Sequence, residues 1–330
     1  MNAEPRTLGN TGILVSPLCF GTMTFGSEAD EQTSAAMFEA CRDHGINFFD
    51  CADVYGDGRA EEILGKLIHS CRNDVVITSK FGYPTGSGLN AQGASAYHMV
   101  HAVEASLKRL RTDRIDFYFL HRPPSDVPIE EVMRGLEHLV EQGKILYPAL
   151  SNLAAWQSAM ALGVAEKNGW RGIACLQPMY NLTKRQAEVE LLPLARAARL
   201  GVISYNPLAG GLLSGKYSRR GEGTGRLVES RMYARRYGSR LNFELAERFS
   251  EMAGELGYPP APLAVAWAAR HPGVTAPVIG ARNVAQLTEV LAAMEIDLTS
   301  SDYDALTALS PAPPLANDRN DEEAPTSRGS

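Results

Sequence analysis

Four ionisable side chains follow three strand-like apolar runs, at residues 46–49, 75–79 and 115–120. In chain order they are Asp50, Tyr55, Lys80 and His121. A carboxylate, a phenol, an ammonium and an imidazole can together hold a proton and pass it to a bound molecule. In a closed parallel barrel the carboxyl ends of all strands meet at one face, where active sites lie. We therefore expect these four side chains to converge.

Strand-like and helix-like segments alternate along the chain and predict a (β/α)8 TIM barrel. Helices are indicated at 30–44, 60–70, 97–112 and 128–143, and further strands at 145–150, 172–176, 201–204 and 276–279. The eight strand ends are residues 21, 50, 80, 121, 151, 177, 205 and 280. A two-domain dinucleotide-binding fold would need a GxGxxG motif after an early strand, and the sequence has none.

Three segments lie outside this regular alternation. Residues 7–20 contain Gly9-Asn10 and Gly12 between short extended pieces, which predicts an N-terminal β-hairpin able to plug the barrel floor. Its last residues, 17–20, are expected to form the first barrel strand. Residues 83–96 and 210–241 are long insertions after strand ends, so we expect long loops over the C-terminal face.

Composition excludes several classes of protein. The net charge is −6, without a basic stripe, which argues against nucleic acid as a partner. No apolar segment is long enough to span a bilayer, and the N-terminus lacks an apolar signal core, so a cytoplasmic protein without a membrane partner is expected. The five cysteines form no CxxC pair, which favours free thiols over a metal site or disulfides.

The C-terminal end differs in composition from the rest of the chain. Residues 317–330 are rich in acidic and polar residues and poor in apolar ones, so we expect a disordered acidic tail. Residues 1–316 are expected to form a single barrel domain.

Several stretches are similar to motifs of the aldo-keto reductases, (α/β)8 barrels that transfer hydride between a nicotinamide cofactor and a carbonyl. They are FFDCADVYG, EEILGKLI, VVITSK, SLKRLRTDRIDFYFLH, KILYPALSN, LQPMYNL, YNPLAGGLLSGKY and VIGARNVAQLTEVL. The resemblance covers roughly residues 5 to 310. Because of Gly280-Ala281-Arg282 and Gln286, it is closer to the bacterial and potassium-channel β-subunit-like branches than to the aldose reductases.

The resemblance implies that Asp50, Tyr55, Lys80 and His121 are a catalytic tetrad. Tyr55 would protonate the carbonyl oxygen, but a free phenol with a pKa of about 10 is a weak acid at neutral pH. The Lys80 ammonium is expected to lower that pKa, and Asp50 to keep Lys80 charged and aimed. His121 would hydrogen-bond the carbonyl oxygen and orient it.

The resemblance also implies an NADPH/NADP+ site built largely from the remaining strand ends. The expected cofactor-binding residues are Gly21, Thr22, Met23, Asp50, Ser151, Asn152, Gln177, Tyr205, Asn206, Pro207, Leu208, Gly210, Leu212, Lys216, Arg226, Gly280, Ala281, Arg282, Gln286 and Glu289. Ser151, Asn152 and Gln177 would bind the nicotinamide carboxamide, and Tyr205 would stack on the ring. Arg282, before a helix N-terminus, would bind the 2′-phosphate and select NADPH over NADH.

Two positions depart from the family pattern. Met23 stands where many members have a tryptophan over the substrate pocket, and Val290 stands where an asparagine often contacts adenine. The substrate, beyond a small carbonyl compound, and the oligomeric state stay open.

Two other functions remain possible for the same barrel. One is a regulatory or sensor subunit that binds NADPH and turns over little. A weaker alternative is an aldolase or isomerase that forms a Schiff base on Lys80, which a neighbouring Asp50 would disfavour by keeping the amine protonated.

Overall fold

The computed structural model describes residues 4–125, 127–217 and 225–317. The expected disordered tail therefore lies outside the described residues, except for Asn317. The chain begins with an antiparallel hairpin of β1 (Arg6–Thr7) and β2 (Leu14–Val15). Leu8 and Val15 are fully buried in the apolar cluster that fills the barrel. The hairpin thus covers the barrel floor, as predicted.

Eight parallel strands form the barrel wall. They are β3 (Cys19–Gly21), β4 (Phe48–Asp50), β5 (Val76–Phe81), β6 (Ile115–Leu120), β7 (Ile145–Ser151), β8 (Cys175–Gln177), β9 (Gly201–Val202) and β10 (Val278–Ile279). Their order is β10-β3-β4-β5-β6-β7-β8-β9. The two edges are joined where the Val278 amide donates to the Ser204 carbonyl at 2.7 Å and the Ala276 amide to the Val202 carbonyl at 3.2 Å. The fold is a (β/α)8 barrel.

Helices surround the sheet. They are α1 (Glu31–Asp43), α2 (Arg59–Leu67), α3 (Ala96–Leu110), α4 (Ile129–Glu141), α5 (Ala155–Asn168), α6 (Leu191–Ala197), α7 (Arg226–Glu229), α8 (Arg231–Tyr237), α9 (Arg240–Glu255), α10 (Pro260–Arg270), α11 (Val284–Leu291) and α12 (Ser300–Ala308). The side chains of Asp30, Ser95 and Asn283 cap α1, α3 and α11 by accepting from backbone amides. Within the described part of the chain, no helix is both long and apolar enough to cross a membrane.

The alternation of side chains along each strand separates two apolar clusters. One side of the strands fills the barrel, through Phe48, Val76, Phe117, Ala149 and Cys175. The other side packs against the helices, through Phe49, Ile77, Tyr118, Leu150 and Leu176. Because side chains alternate with a period of two, the residues at 50, 78, 80, 121, 151 and 177 continue the inward-facing series.

The observed strand ends lie within one residue of prediction, except that of β9. Regular pairing there stops at Val202, and Tyr205 makes only an isolated bridge with Met179. Asn206 follows in the left-handed region, with φ 58°, which turns the chain away from the sheet. The insertion at 210–241, expected to be a loop, contains α7 and α8 in its described part.

Candidate active site

The four predicted side chains meet at the carboxyl end of the barrel. Lys80 Nζ lies 2.7 Å from each carboxylate oxygen of Asp50 and donates to the Cys51 carbonyl oxygen, also at 2.7 Å. The Tyr55 hydroxyl is 3.3 Å from the same ammonium. Tyr55 follows β4 after a short connection, residues 51–54, and begins a 3-10 turn, Tyr55–Gly58. The structure therefore joins a phenol to a buried ion pair.

Two neighbouring side chains hold Asp50 in place. The Thr78 hydroxyl and the Gln177 side-chain amide donate to Asp50 Oδ1 at 2.7 and 2.8 Å. Lys80 is fully buried and Asp50 is 3% exposed. A buried carboxylate with three donors has little freedom to rotate, so Lys80 is fixed relative to Tyr55.

The environment changes the pKa values of the lysine and the tyrosine. Burial alone would lower the pKa of Lys80, but the adjacent Asp50 carboxylate raises it above its ordinary value. Burial raises the pKa of Tyr55, and the Lys80 charge offsets only part of that rise. Lys80 therefore acts on the pKa of Tyr55 in the expected direction, but burial outweighs it. At neutral pH the phenol is protonated and can act as a donor.

His121 lies directly after β6, beside Tyr55. The centroids of the two rings are 6.0 Å apart, and the Tyr83 ring meets His121 edge-on at 4.8 Å. Burial, together with the Lys80 charge, holds the pKa of His121 well below its usual range, so the imidazole is neutral. Its buried Nδ1 has no hydrogen-bond partner among the described residues. A neutral imidazole here can donate to a bound oxygen.

Asp50, Tyr55 and His121 line a cleft of about 660 Å³, whereas the fully buried Lys80 does not. Eighteen of the expected cofactor residues line it: Gly21, Met23, Asp50, Ser151, Asn152, Gln177, Tyr205, Asn206, Pro207, Leu208, Gly210, Lys216, Arg226, Gly280, Ala281, Arg282, Gln286 and Glu289. Thr22 and Leu212 do not. The buried Thr22 hydroxyl donates to the Asp50 carbonyl oxygen at 3.0 Å, and the Leu212 side chain packs in the core.

Polar groups near the tetrad are fixed by one another. Ser151 Oγ donates to the Gln177 carbonyl oxygen at 3.0 Å. Asn152 Nδ2 donates to the His121 carbonyl oxygen at 2.9 Å, and the Tyr205 hydroxyl donates to Asn152 Oδ1 at 2.7 Å. This part of the cleft presents ordered amide and hydroxyl groups next to the tetrad.

Lys216, Arg226 and Arg282 form a cationic end of the cleft, and both arginines are paired. Arg282 Nη2 lies 2.7 Å from a Glu229 oxygen and 4.0 Å from Glu28, and Arg226 lies 3.9 Å from Glu28. Gly210 adopts φ 69°, where a Cβ would come within 2.6 Å of the Tyr233 ring. This backbone therefore requires glycine, which leaves it open to a close ligand.

Comparison with known proteins agrees with this geometry. The family model described as Aldo/keto reductase family matches residues 17–311. The chain belongs to the aldo/keto reductase family. It is 38% identical over 94% of its length to "Uncharacterized oxidoreductase YrpG" of Bacillus subtilis (strain 168), covering 97% of that protein.

Two plant proteins are also similar to this aldo/keto reductase. Both bear the name "Probable voltage-gated potassium channel subunit beta", one from Arabidopsis thaliana and one from Oryza sativa subsp. japonica. Each is 36% identical over 88% of this chain and 91% of its own length. Family membership supports an oxidoreductase activity on carbonyl groups with a nicotinamide cofactor.

Several residues lining the cleft of this aldo/keto reductase were not foreseen from the sequence. They include Val54, Tyr83, Met232, Tyr233 and Arg236. Three of these belong to α8, inside the insertion treated as a loop. The aromatic and cationic side chains of Tyr233 and Arg236 were the available signal that this insertion lines a binding cleft. Met23 and Val290, the two departures from the family pattern, both line the cleft.

A second set of polar side chains, which includes Asp53 of the loop that carries Tyr55, was also missed. Glu61, fully buried, accepts from Arg109 at 2.7 Å and from the Ser79 hydroxyl. Asp53 is 2% exposed, and its carboxylate has no hydrogen-bond partner among the described residues. Burial, with the nearby Glu61 charge, raises the pKa of Asp53 to about 7.

Proposed function

We propose that this protein is an NADPH-dependent reductase of aldehydes or ketones that works in the cytoplasm. The observation that carries the proposal is the Lys80 ammonium placed 3.3 Å from the Tyr55 hydroxyl while paired with Asp50. The five free cysteines fit a reducing compartment.

Each member of the tetrad has one task in this proposal. Tyr55 gives its proton to the carbonyl oxygen as negative charge develops there, and Lys80 stabilises the phenolate that remains. Asp50 keeps Lys80 charged and immobile. The neutral His121 donates to the same carbonyl oxygen and sets the angle of the substrate. In this assignment the tetrad performs proton transfer and orientation.

The cleft fits a nicotinamide dinucleotide. NADPH, when bound, supplies the hydride. Ser151, Asn152 and Gln177 have the donors and acceptors for a carboxamide, and Tyr205 offers a ring beside them. The glycine backbone at 210 can approach a pyrophosphate closely. Lys216, Arg226 and Arg282 would receive the 2′-phosphate at the cationic end.

The test is consumption of NADPH in the presence of a panel of aldehydes, ketones and quinones, followed by NADPH absorbance. We expect steady turnover with at least one carbonyl class and none without substrate. Tight NADPH binding without turnover on any member of the panel would contradict the proposal.

A regulatory subunit that binds NADPH is the second candidate. It is favoured by the names of the two plant relatives, which are given as channel β subunits. The intact tetrad favours the enzyme. Single-turnover measurements separate the two, because a sensor would oxidise bound NADPH far more slowly than it releases NADPH to solution.

A Schiff base on Lys80 is disfavoured by the raised pKa of its ammonium. Borohydride trapping with a carbonyl substrate tests that third possibility.

A further inference from the structure

Arg236 differs from the other guanidinium groups that line the cleft. Arg226 and Arg282 are paired with Glu28 and Glu229. Arg236 lies on α8, is partly buried and lines the same cleft, yet none of the described carboxylates comes within 4.0 Å of it. Within the described part of the chain the Arg236 guanidinium therefore has donors available for a ligand.

Arg236 lies beside the ring of a tyrosine, Tyr233. Its guanidinium carbon lies 5.7 Å from the centroid of the Tyr233 ring, and Arg226 approaches the same ring at 5.6 Å. Tyr233 is 6% exposed, and both cations approach its ring. Arg226 is paired with Glu28, whereas Arg236 has no carboxylate partner among the described residues.

The Arg236 charge acts on Tyr205, and Tyr205 is linked to the tetrad by hydrogen bonds. Burial raises the pKa of Tyr205 to about 12, and the Arg236 charge, the next largest influence, opposes that rise. The Tyr205 hydroxyl donates to Asn152, whose amide donates to the His121 carbonyl oxygen. Arg236 therefore lines the same cleft as the side chains that surround the proposed reacting carbonyl.

We propose that Arg236 binds a carboxylate of the substrate, so that the preferred substrates are aldehydes or ketones that also carry a carboxylate. The planar fork of a guanidinium matches a carboxylate in a bidentate contact, which is stronger in a partly desolvated cleft than in water. The aromatic surfaces of Tyr83 and Tyr233, which line the cleft, would cover the apolar body of such a molecule. This inference rests on the proposed reductase function and narrows its substrate class.

The experiment compares two aldehydes of nearly equal size, the anion 4-formylbenzoate and the neutral 4-formylbenzamide. With NADPH, kcat/KM is measured for wild type, Arg236→Gln and Arg236→Lys. We expect Arg236→Gln to reduce kcat/KM for the benzoate by about tenfold to a hundredfold, with a much smaller loss for the amide. Arg236→Lys should recover part of the loss. Arg235→Gln, on an exposed neighbour in α8, is the matched control and should change neither value.

Three results would overturn the inference. They are equal losses for both aldehydes, no loss for either, or weaker NADPH binding by Arg236→Gln, which would assign the arginine to the cofactor. Calorimetric binding of 4-formylbenzoate to the NADP+-loaded protein gives a readout without turnover. If wild type reduces neither aldehyde nor any other carbonyl compound of the panel, but binds the benzoate in an Arg236-dependent way, the reductase proposal fails while the anion site stands. If wild type reduces the amide, but neither reduction nor binding of the benzoate depends on Arg236, the anion site fails while the reductase proposal stands.

Discussion

The Lys80 ammonium and the Asp50 carboxylate form an ion pair shielded from solvent, with Nζ 2.7 Å from both carboxylate oxygens. Removing both charges from water is costly, so a buried pair is weak support for stability. Its consequence is a lysine that stays charged beside the Tyr55 hydroxyl. We infer that the role of the pair is to hold a positive charge beside Tyr55, where it stabilises the phenolate.

Replacing Asp50 leaves that charge buried without its partner. Asp50→Asn should lower the free energy of unfolding by about 3–5 kcal/mol, measured by urea denaturation at neutral pH. Glu31→Gln is the control, since it breaks the exposed Lys66–Glu31 pair, which should cost less than about 1 kcal/mol. Equal changes in the free energy of unfolding for the two substitutions would show that the buried Asp50–Lys80 pair contributes no more than an exposed one.

Asp53 should make stability depend on pH. Its pKa is raised from 3.8 to about 7, so between these values the folded protein keeps a proton that the unfolded chain releases. The contribution of Asp53 is then fully present below pH 3.8 and lost as pH rises through 7. As pH rises from acid to neutral, the free energy of unfolding of Asp53→Asn should therefore increase relative to that of wild type, by up to about 4 kcal/mol. Urea denaturation at several pH values measures this difference.

The pH dependence of the difference separates Asp53 from other groups. Glu61, Arg109 and Lys80 also act on the Asp53 carboxyl, and they are present in both proteins. Their contributions cancel in the comparison of variant and wild type unless the substitution moves them. A difference in unfolding free energy that stays constant between about pH 4 and 8 would contradict the assignment of a raised pKa to Asp53.

Arg282 should decide the preference for NADPH. Arg282→Ala should weaken NADPH binding by about tenfold to a hundredfold while NADH binding stays nearly unchanged, because only NADPH carries the 2′-phosphate. Quenching of tryptophan fluorescence measures both dissociation constants. Equal losses for the two cofactors would mean that Arg282 supports the cleft wall instead of binding the phosphate.

Glu229 should lower the affinity for NADPH, in contrast to Arg282. Its carboxylate lies 2.7 Å from Arg282, so a 2′-phosphate must compete with it for the guanidinium. Glu229→Gln should therefore tighten NADPH binding and leave NADH binding nearly unchanged, in the same fluorescence titration. Weaker NADPH binding would show that Glu229 orients Arg282 for the phosphate.

The convergence of the tetrad was predictable from the sequence for a definite reason. In a parallel barrel the period of two along each strand determines which strand-end residues face inward. That rule applies to Asp50, Lys80 and His121 without knowledge of any tertiary contact. Tyr55 follows because only a short turn separates it from β4.

Other features of the cleft depend on contacts that no local pattern encodes. The positions of Glu229 and Arg236 follow from the packing of α7 and α8, which lie in an insertion without a barrel strand to set their register. The net pKa of Tyr55 depends on how completely the fold buries it, and the sequence showed only the lysine that opposes that effect. The unpaired state of Asp53 is likewise a property of the packed loop.

The most direct test of the account is the turnover of Tyr55→Phe, which removes the proton donor and keeps the ring. With a carbonyl substrate and NADPH, under conditions where chemistry limits the rate, kcat should fall by about 10²–10⁴-fold. The dissociation constant for NADPH should stay close to that of wild type. A variant that keeps more than about a tenth of wild-type turnover would contradict Tyr55 as the general acid.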